Sequence, residues 1–194
     1  GVKREDRVAV LLHNCHQYLE IFLGLSKIGA ILVPLNWRLA GPELEFILHD
    51  SGSRMLIFEP EFEEVVSSIR PRLNFSHGDY FILGNPCPDW AIEYEKAIGK
   101  MPTEEPPRDG SYGDEDPHII MYTSGTTGIP KGAVLSQRKT FFNVLNADIV
   151  YNLTSKDIMM VTRPMFHSGG LLVEAAPVLY KGGTLIIRKR FRPN

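Results

Sequence analysis

Between Met121 and Val134 the chain reads MYTSGTTGIPKGAV, in which the hydroxyl residues Thr123, Ser124, Thr126 and Thr127 surround Gly125 and precede Gly128 and Lys131. Hydroxyls donate neutral hydrogen bonds to phosphate oxygens, glycines let backbone N–H groups approach a ligand closely, and a lysine adds a movable positive charge. The pattern points to a loop that holds phosphate. The same composition also suits a glycine-rich β-hairpin tip, although a tip alone has no need of these hydroxyls ahead of a lysine. Two other phosphate loops are excluded. A Walker loop ends in Gly-Lys-Ser/Thr, whereas Lys131 lies between Pro130 and Gly132, and no GxGxxG opens a helix here.

A second candidate segment is Pro164-Met165-Phe166-His167-Ser168-Gly169-Gly170, directly after the apolar run Asp157 to Thr162. A histidine at the end of a strand, followed by small residues and a helix, stands at the C-terminal sheet edge where open α/β sheets bind ligands. The residues alone leave His167 open between a structural and a functional role. His13 and His16 flank Cys15, but without further ligands at a suitable spacing they read as a strand-to-helix cap, and no metal site is expected. Arg163 and Glu174 read as surface or interface charges, Lys189 and Arg190 as a solvated strand exit, and Trp37 and Trp90 as core or interface packing.

These segments must be positioned by the elements around them. Arg7 to Leu12, Ala30 to Leu35, Arg54 to Phe58 and Tyr80 to Leu83 are short apolar runs that suit strands buried on both faces. Helices separate them. One starts near Asn14, with Gln17 completing a capping-box-like signal, and carries Tyr18, Ile21, Phe22, Leu25 and Ile28 on one face before Gly29. Others begin at Gly41-Pro42, run through Phe62 to Ile69, and cover Trp90 to Ile98. Later come strands at His118 to Tyr122 and Gly132 to Leu135, a helix from Gln137 to Tyr151, a helix over Leu171 to Tyr180 and a strand at Thr184 to Ile187. The alternation predicts an α/β fold of parallel βαβ sheet layers flanked by helices. The acidic, proline-rich stretch 101–117 reads as a solvated linker between a first α/β subdomain, 1–100, and the start of a second, 118–194.

Composition narrows the partners. With 194 residues, 43% of them hydrophobic, the chain can bury a core, and a net charge of -2 gives no basic field for nucleic acid. No apolar stretch approaches the roughly 18 residues of a spanning helix. Two distant cysteines, Cys15 and Cys87, suggest no disulfide framework, which fits a cytoplasmic protein.

The run Tyr122 to Gly132 resembles, almost letter for letter, the signature loop of the adenylate-forming enzymes: acyl-CoA synthetases, aryl-CoA ligases, luciferases and the amino-acid-activating domains of peptide synthetases. Asp6 to Leu12, Gly29 to Asn36 and Leu44 to Ser51 resemble the N-terminal half of an acyl-CoA synthetase, with His13 where many members carry proline. The resemblance implies the partial N-terminal domain of such an enzyme. It implies ATP with Mg²⁺ and, as co-substrate, CoA, together with a carboxylic acid substrate. Thr123, Ser124, Gly125, Thr126, Thr127, Gly128 and Lys131 would hold the phosphates. Phe166, His167 and Gly169 would line the acid site, and Lys131 and His167 would be the catalytic pair. Phe166-His167, where amino-acid-activating relatives tend to have Phe-Asp, favours an acid without an α-amino group. The family's later motifs do not occur in these 194 residues, so the chain is expected to be an N-terminal fragment, inactive without its C-terminal remainder. Another adenylate-former, or a truncated noncatalytic nucleotide-binding module, is the alternative.

Overall fold

The computed structural model describes residues 1–107, 113–123 and 128–190. Seven strands form one sheet in the order β5-β4-β3-β1-β2-β6-β7. They are β1 (Arg7–Leu11), β2 (Ile31–Pro34), β3 (Met55–Phe58), β4 (Tyr80–Ile82), β5 (Ile92–Glu93), β6 (Pro117–Thr123) and β7 (Lys131–Ser136). All neighbours are parallel except β6 and β7, which form an antiparallel hairpin. A separate parallel pair, β8 (Ile158–Val161) and β9 (Thr184–Ile187), makes a second sheet.

Alternation along β1 explains why this strand is central. Val8 and Val10, with Leu12 beyond the strand, enter one core, while Ala9 and Leu11 enter the other, because successive side chains leave a strand on opposite faces. The first core is closed by α1 (His16–Ile28) through Tyr18, Leu19, Ile21, Phe22 and Leu25. The second is closed by α2 (Gly41–Asp50) and α3 (Glu63–Ile69) through Leu44, Ile47, Leu48, Val66 and Ile69. Each such large apolar side chain contributes about 2 kcal/mol on burial, so both faces of the sheet are firmly covered.

The helix boundaries follow local chemistry. Pro42 stands in the first turn of α2, and Glu43 reaches back to accept from the Ala40 N–H at 2.9 Å. α5 (Gln137–Tyr151) spans the residues expected and is capped by Ser136, whose Oγ accepts from the Lys139 N–H at 3.3 Å. The segment Trp90 to Ile98 is not one helix. It contributes edge strand β5 and then α4 (Tyr94–Ile98), started by the Glu93 carboxylate, which accepts from the N–H groups of Glu95 and Lys96. Leu171 to Tyr180 also divides, into a π-helical turn, Gly169–Ala175, and α6 (Ala176–Tyr180). Pro177 lacks the N–H that would continue an α-helical ladder back into that turn.

The expected division at 101–117 does not coincide with the change of sheet. β6 begins at the end of that stretch yet pairs with β2 through Leu32 and Ile119, so the β6–β7 hairpin extends the first sheet. The change of sheet falls between β7 and β8. Among the described residues, no helix is long and apolar enough to cross a membrane.

Candidate functional site

The glycine- and hydroxyl-rich stretch falls in sequence between β6 and β7, which pair with Tyr122 opposite Gly132 and Thr123 opposite Lys131. Ser124, Gly125, Thr126 and Thr127, expected to hold phosphate, lie outside the described residues. Gly128 has φ +82°, a left-handed conformation that other residues rarely adopt, so the return into β7 requires glycine. The hairpin is tied to α2 by Tyr122, whose hydroxyl donates to Asp50 Oδ2 at 2.6 Å. Burial and then the Asp50 carboxylate hold the Tyr122 phenol well above its ordinary pKa, so it remains a donor at neutral pH.

The second part of the site leaves the C-terminal end of β8. Glu174, in the π-helical turn, is buried, and its Oε2 accepts from the N–H groups of Thr162 at 3.1 Å and Arg163 at 3.2 Å. Its Oε1 pairs with Arg163 Nε at 3.2 Å. Of the surface or interface charges expected, Arg163 is exposed and Glu174 is a buried brace. A carboxylate in the apolar run GGLLVEAAPVL was the available signal, since a buried charge needs partners. Asn14 grips the same segment from β1. It is not the expected helix cap, because Cys15 occupies the N-cap position without a side-chain bond. Instead Asn14 Nδ2 donates to the Arg163 carbonyl, and the Met165 N–H donates to Asn14 Oδ1, both at 2.8 Å.

These contacts present Phe166 and His167. The Phe166 ring meets Trp37 edge-on at 6.1 Å, and the Arg38 guanidinium lies 4.3 Å from the Trp37 centroid and 5.6 Å from that of Phe166. His167 is exposed, and its Nδ1 accepts from the Gly169 N–H at 3.4 Å. Gly170 was not singled out in sequence, yet space there is the tighter. A Cβ on Gly170 would stand 2.5 Å from both the Arg163 and Pro164 carbonyl oxygens, whereas one on Gly169 would meet the Arg163 side chain at 3.1 Å.

A cleft of about 500 Å³ joins the two parts. Thr123, Gly128 and Pro130 line one side, Phe166, His167 and Ser168 another, and Asn36, Leu39 and Ile47 contribute from the loop after β2 and from α2. Lys131 and Gly169 are not among the lining residues. Lys131 is exposed and forms no ion pair among the described residues. It stands two and four residues before Ala133 and Leu135, which do line the cleft, so it leaves β7 on their face.

A separate charged cluster joins the ends of β1 and β3 to the segment after β9. His13 is fully buried, and its backbone N–H and Nδ1 contact the two Glu59 carboxylate oxygens, each at 3.0 Å. Arg190 Nε donates to His13 Nε2 at 3.1 Å, so the Nδ1 side carries the imidazole proton. Lys189 Nζ lies 2.8 Å from Glu59 and 3.2 Å from Glu61, and Arg190 also pairs with Glu61. Lys189 and Arg190 are exposed just after β9, as expected of a solvated strand exit, and each also has carboxylate partners. His13, Glu59 and Glu61 are close enough together to hold a cation, but Lys189 already occupies that role. Hydrogen bonding to Glu59 raises the Lys189 pKa despite partial burial. The expected packing of the two tryptophans is also visible: Trp37 contacts His13 at 4.7 Å, and Trp90 stacks on Phe58 at 5.6 Å.

Comparison with known proteins places this geometry. A family model described as AMP-binding enzyme matches residues 1–194. The chain is 36% identical over 193 residues to an indoleacetate–CoA ligase of Aromatoleum aromaticum, covering 98% of this chain and 37% of that protein. It is 38% identical over 193 residues to a feruloyl-CoA synthase of an Amycolatopsis species, covering 100% and 36%. The crystal structure of the anthranilate CoA ligase AuaEII in complex with anthranoyl-AMP matches with a TM-score of 0.85 at 28% identity, over 96% of this chain and 36% of that one. The chain spans little more than a third of the length of these curated relatives.

Proposed function

The chain belongs to the family of AMP-binding enzymes, and from that premise we propose that it forms the N-terminal part of an ATP-dependent acyl-CoA synthetase. The observation that carries the reading is the cleft, lined on one side by Thr123 and Gly128 of the glycine-rich hairpin and on another by Phe166 and His167. The first group suits the phosphates of ATP and the second suits a carboxylic acid, so two reactants would meet between them.

A carboxylate repels nucleophiles and has no good leaving group. In the proposed reaction one carboxylate oxygen attacks the α-phosphorus, the bond to the β,γ-pyrophosphate breaks, and an acyl-adenylate forms. The CoA thiol then loses its proton and attacks the acyl carbon, and AMP departs with the carboxylate oxygen that had joined phosphorus. The chain's contribution to the first step is positional and electrostatic. Hairpin N–H groups and hydroxyls would receive the pyrophosphate charge, with Lys131 swinging in from the cleft-facing side of β7. His167 would donate toward the acid, and Phe166, seated on Trp37, would form an apolar wall.

Mg²⁺ belongs to the proposal only as the companion of ATP. Among the described cleft residues the one carboxylate is Glu43, whose Oε2 accepts from the Ala40 N–H. The names of the relatives, ligases for indoleacetate, ferulate and long-chain fatty acids, support an aromatic or fatty acid as substrate. The free thiols of Cys15 and Cys87 fit a reducing cytoplasm.

ATP–pyrophosphate exchange by the full-length protein, with a panel of aromatic, fatty and amino acids, tests the reading. Exchange that depends on an aromatic or fatty acid is expected. Exchange driven only by amino acids would assign a different adenylate-former, and nucleotide binding without exchange by any acid would favour a noncatalytic module.

A further inference from the structure

We infer that Asn14 is a positioning residue that sets the acid side of the cleft relative to the phosphate side. The inference rests on the proposed function for its kinetic consequence, though not for the contact itself. Asn14 lies just past the C-terminal end of β1, the strand paired on both sides in the seven-stranded sheet, and is 6% exposed. Its amide donates to the Arg163 carbonyl and accepts from the Met165 N–H. Those two groups, on residues i and i+2, are the pair that a neighbouring strand's peptide would engage. The side-chain amide thus substitutes for a peptide unit and fixes both the distance and the orientation of a segment that has left its own sheet.

The segment needs such a hold. Pro164 has no N–H, and Met165 is fully buried, so a shift in the backbone here passes directly to Phe166 and His167. Glu174 grips Thr162 and Arg163 but belongs to the π-helical turn that follows the segment. Asn14 is anchored instead in the first sheet, which through β2 and β6 also carries the hairpin with Thr123 and Gly128. It therefore connects the two walls of the cleft by one buried side chain, 149 and 151 residues away in sequence from Arg163 and Met165. Loosening it would displace Phe166 and His167 while leaving the hairpin in place.

Two variants of the full-length protein test this. Asn14→Leu removes both hydrogen bonds while keeping the branching at Cγ, and Asn14→Asp keeps the acceptor for Met165 but sets a carboxylate against the Arg163 carbonyl. For each, the KM for the acid in pyrophosphate exchange should rise about tenfold or more, as expected for misplacement of a reactant, while the KM for ATP stays within about twofold. Val144→Ala, a buried change on α5, serves as the stability control and should lower Tm without this split. Amide hydrogen exchange reads the contact without activity: Met165 should lose protection in Asn14→Leu and retain it in Asn14→Asp. If Asn14→Leu does not accumulate folded, Asn14→Asp carries the kinetic test. Equal changes in both KM values, or a fall in Tm alone, would overturn the inference, as would unchanged Met165 protection in Asn14→Leu. Absence of acid-dependent exchange in the unmodified protein would instead defeat the proposed function, with the amide measurement still deciding whether Asn14 holds the segment.

Discussion

Replacing His118 by phenylalanine should flatten the acid side of the stability profile. His118, the second residue of β6, is 3% exposed and stacks on Phe22 at 5.0 Å. Among the described residues neither of its ring nitrogens has a hydrogen-bond partner, and burial pushes its pKa down from 6.5 to about 4. The folded value lies below the unfolded one, so the unfolded chain takes up the proton first as pH falls. Stability from the neutral ring is therefore complete above about pH 6.5, declines as pH drops toward about 4, and levels off below. At about 1.4 kcal/mol per pH unit, the gap between 6.5 and about 4 corresponds to about 3 kcal/mol. Urea unfolding of the two proteins, followed by far-UV circular dichroism from pH 8 to pH 4, measures the difference. Carboxylates titrate in both and cancel in the comparison. Near pH 7.5 the two should lie within about 1.5 kcal/mol, as for other tolerated core replacements. Toward pH 4 the phenylalanine variant should gain about 2 to 3 kcal/mol relative to the parent. Parallel profiles across this range would refute the argument that His118 is held neutral by burial.

Two further outcomes concern the cleft directly. Gly170→Ala forces a methyl against two carbonyl oxygens at 2.5 Å, so thermal unfolding should show a loss of about 1 to 3 kcal/mol, and the KM for the acid should rise more than that for ATP; an unaltered Tm would contradict the close approach. Lys131→Ala should slow adenylate formation by about tenfold or more while thioester formation from a preformed adenylate changes little; equal loss in both half-reactions, followed by rapid quench, would remove Lys131 from the pyrophosphate side.

Much of the fold was legible because strand and helix periods differ so clearly. Val8, Val10 and Leu12 against Ala9 and Leu11 mark a strand buried on both faces, and α5 spans the expected Gln137 to Tyr151. What escaped was pairing across long sequence separations. The proline-rich stretch 101–117 reads as a linker between subdomains, and nothing in it announces that β6 lies beside β2, with Ile119 opposite Leu32 in one core. Asn14 looked like a cap because its partners lie about 150 residues away. The ion-pair partners of Glu174, Lys189 and Arg190 were not readable because they, too, come from other elements. The candidate site was readable as two motifs, while the residues that hold them face to face were not.

Oxygen transfer offers the most direct test of the central claim. The full-length protein is supplied with ATP, CoA and an aromatic acid carrying ¹⁸O in both carboxylate positions, and the AMP released is analysed by mass spectrometry. Attack of the carboxylate on the α-phosphorus predicts AMP containing one ¹⁸O for each thioester formed. Unlabelled AMP, or ADP formed together with labelled phosphate, would contradict an acyl-adenylate intermediate in this cleft.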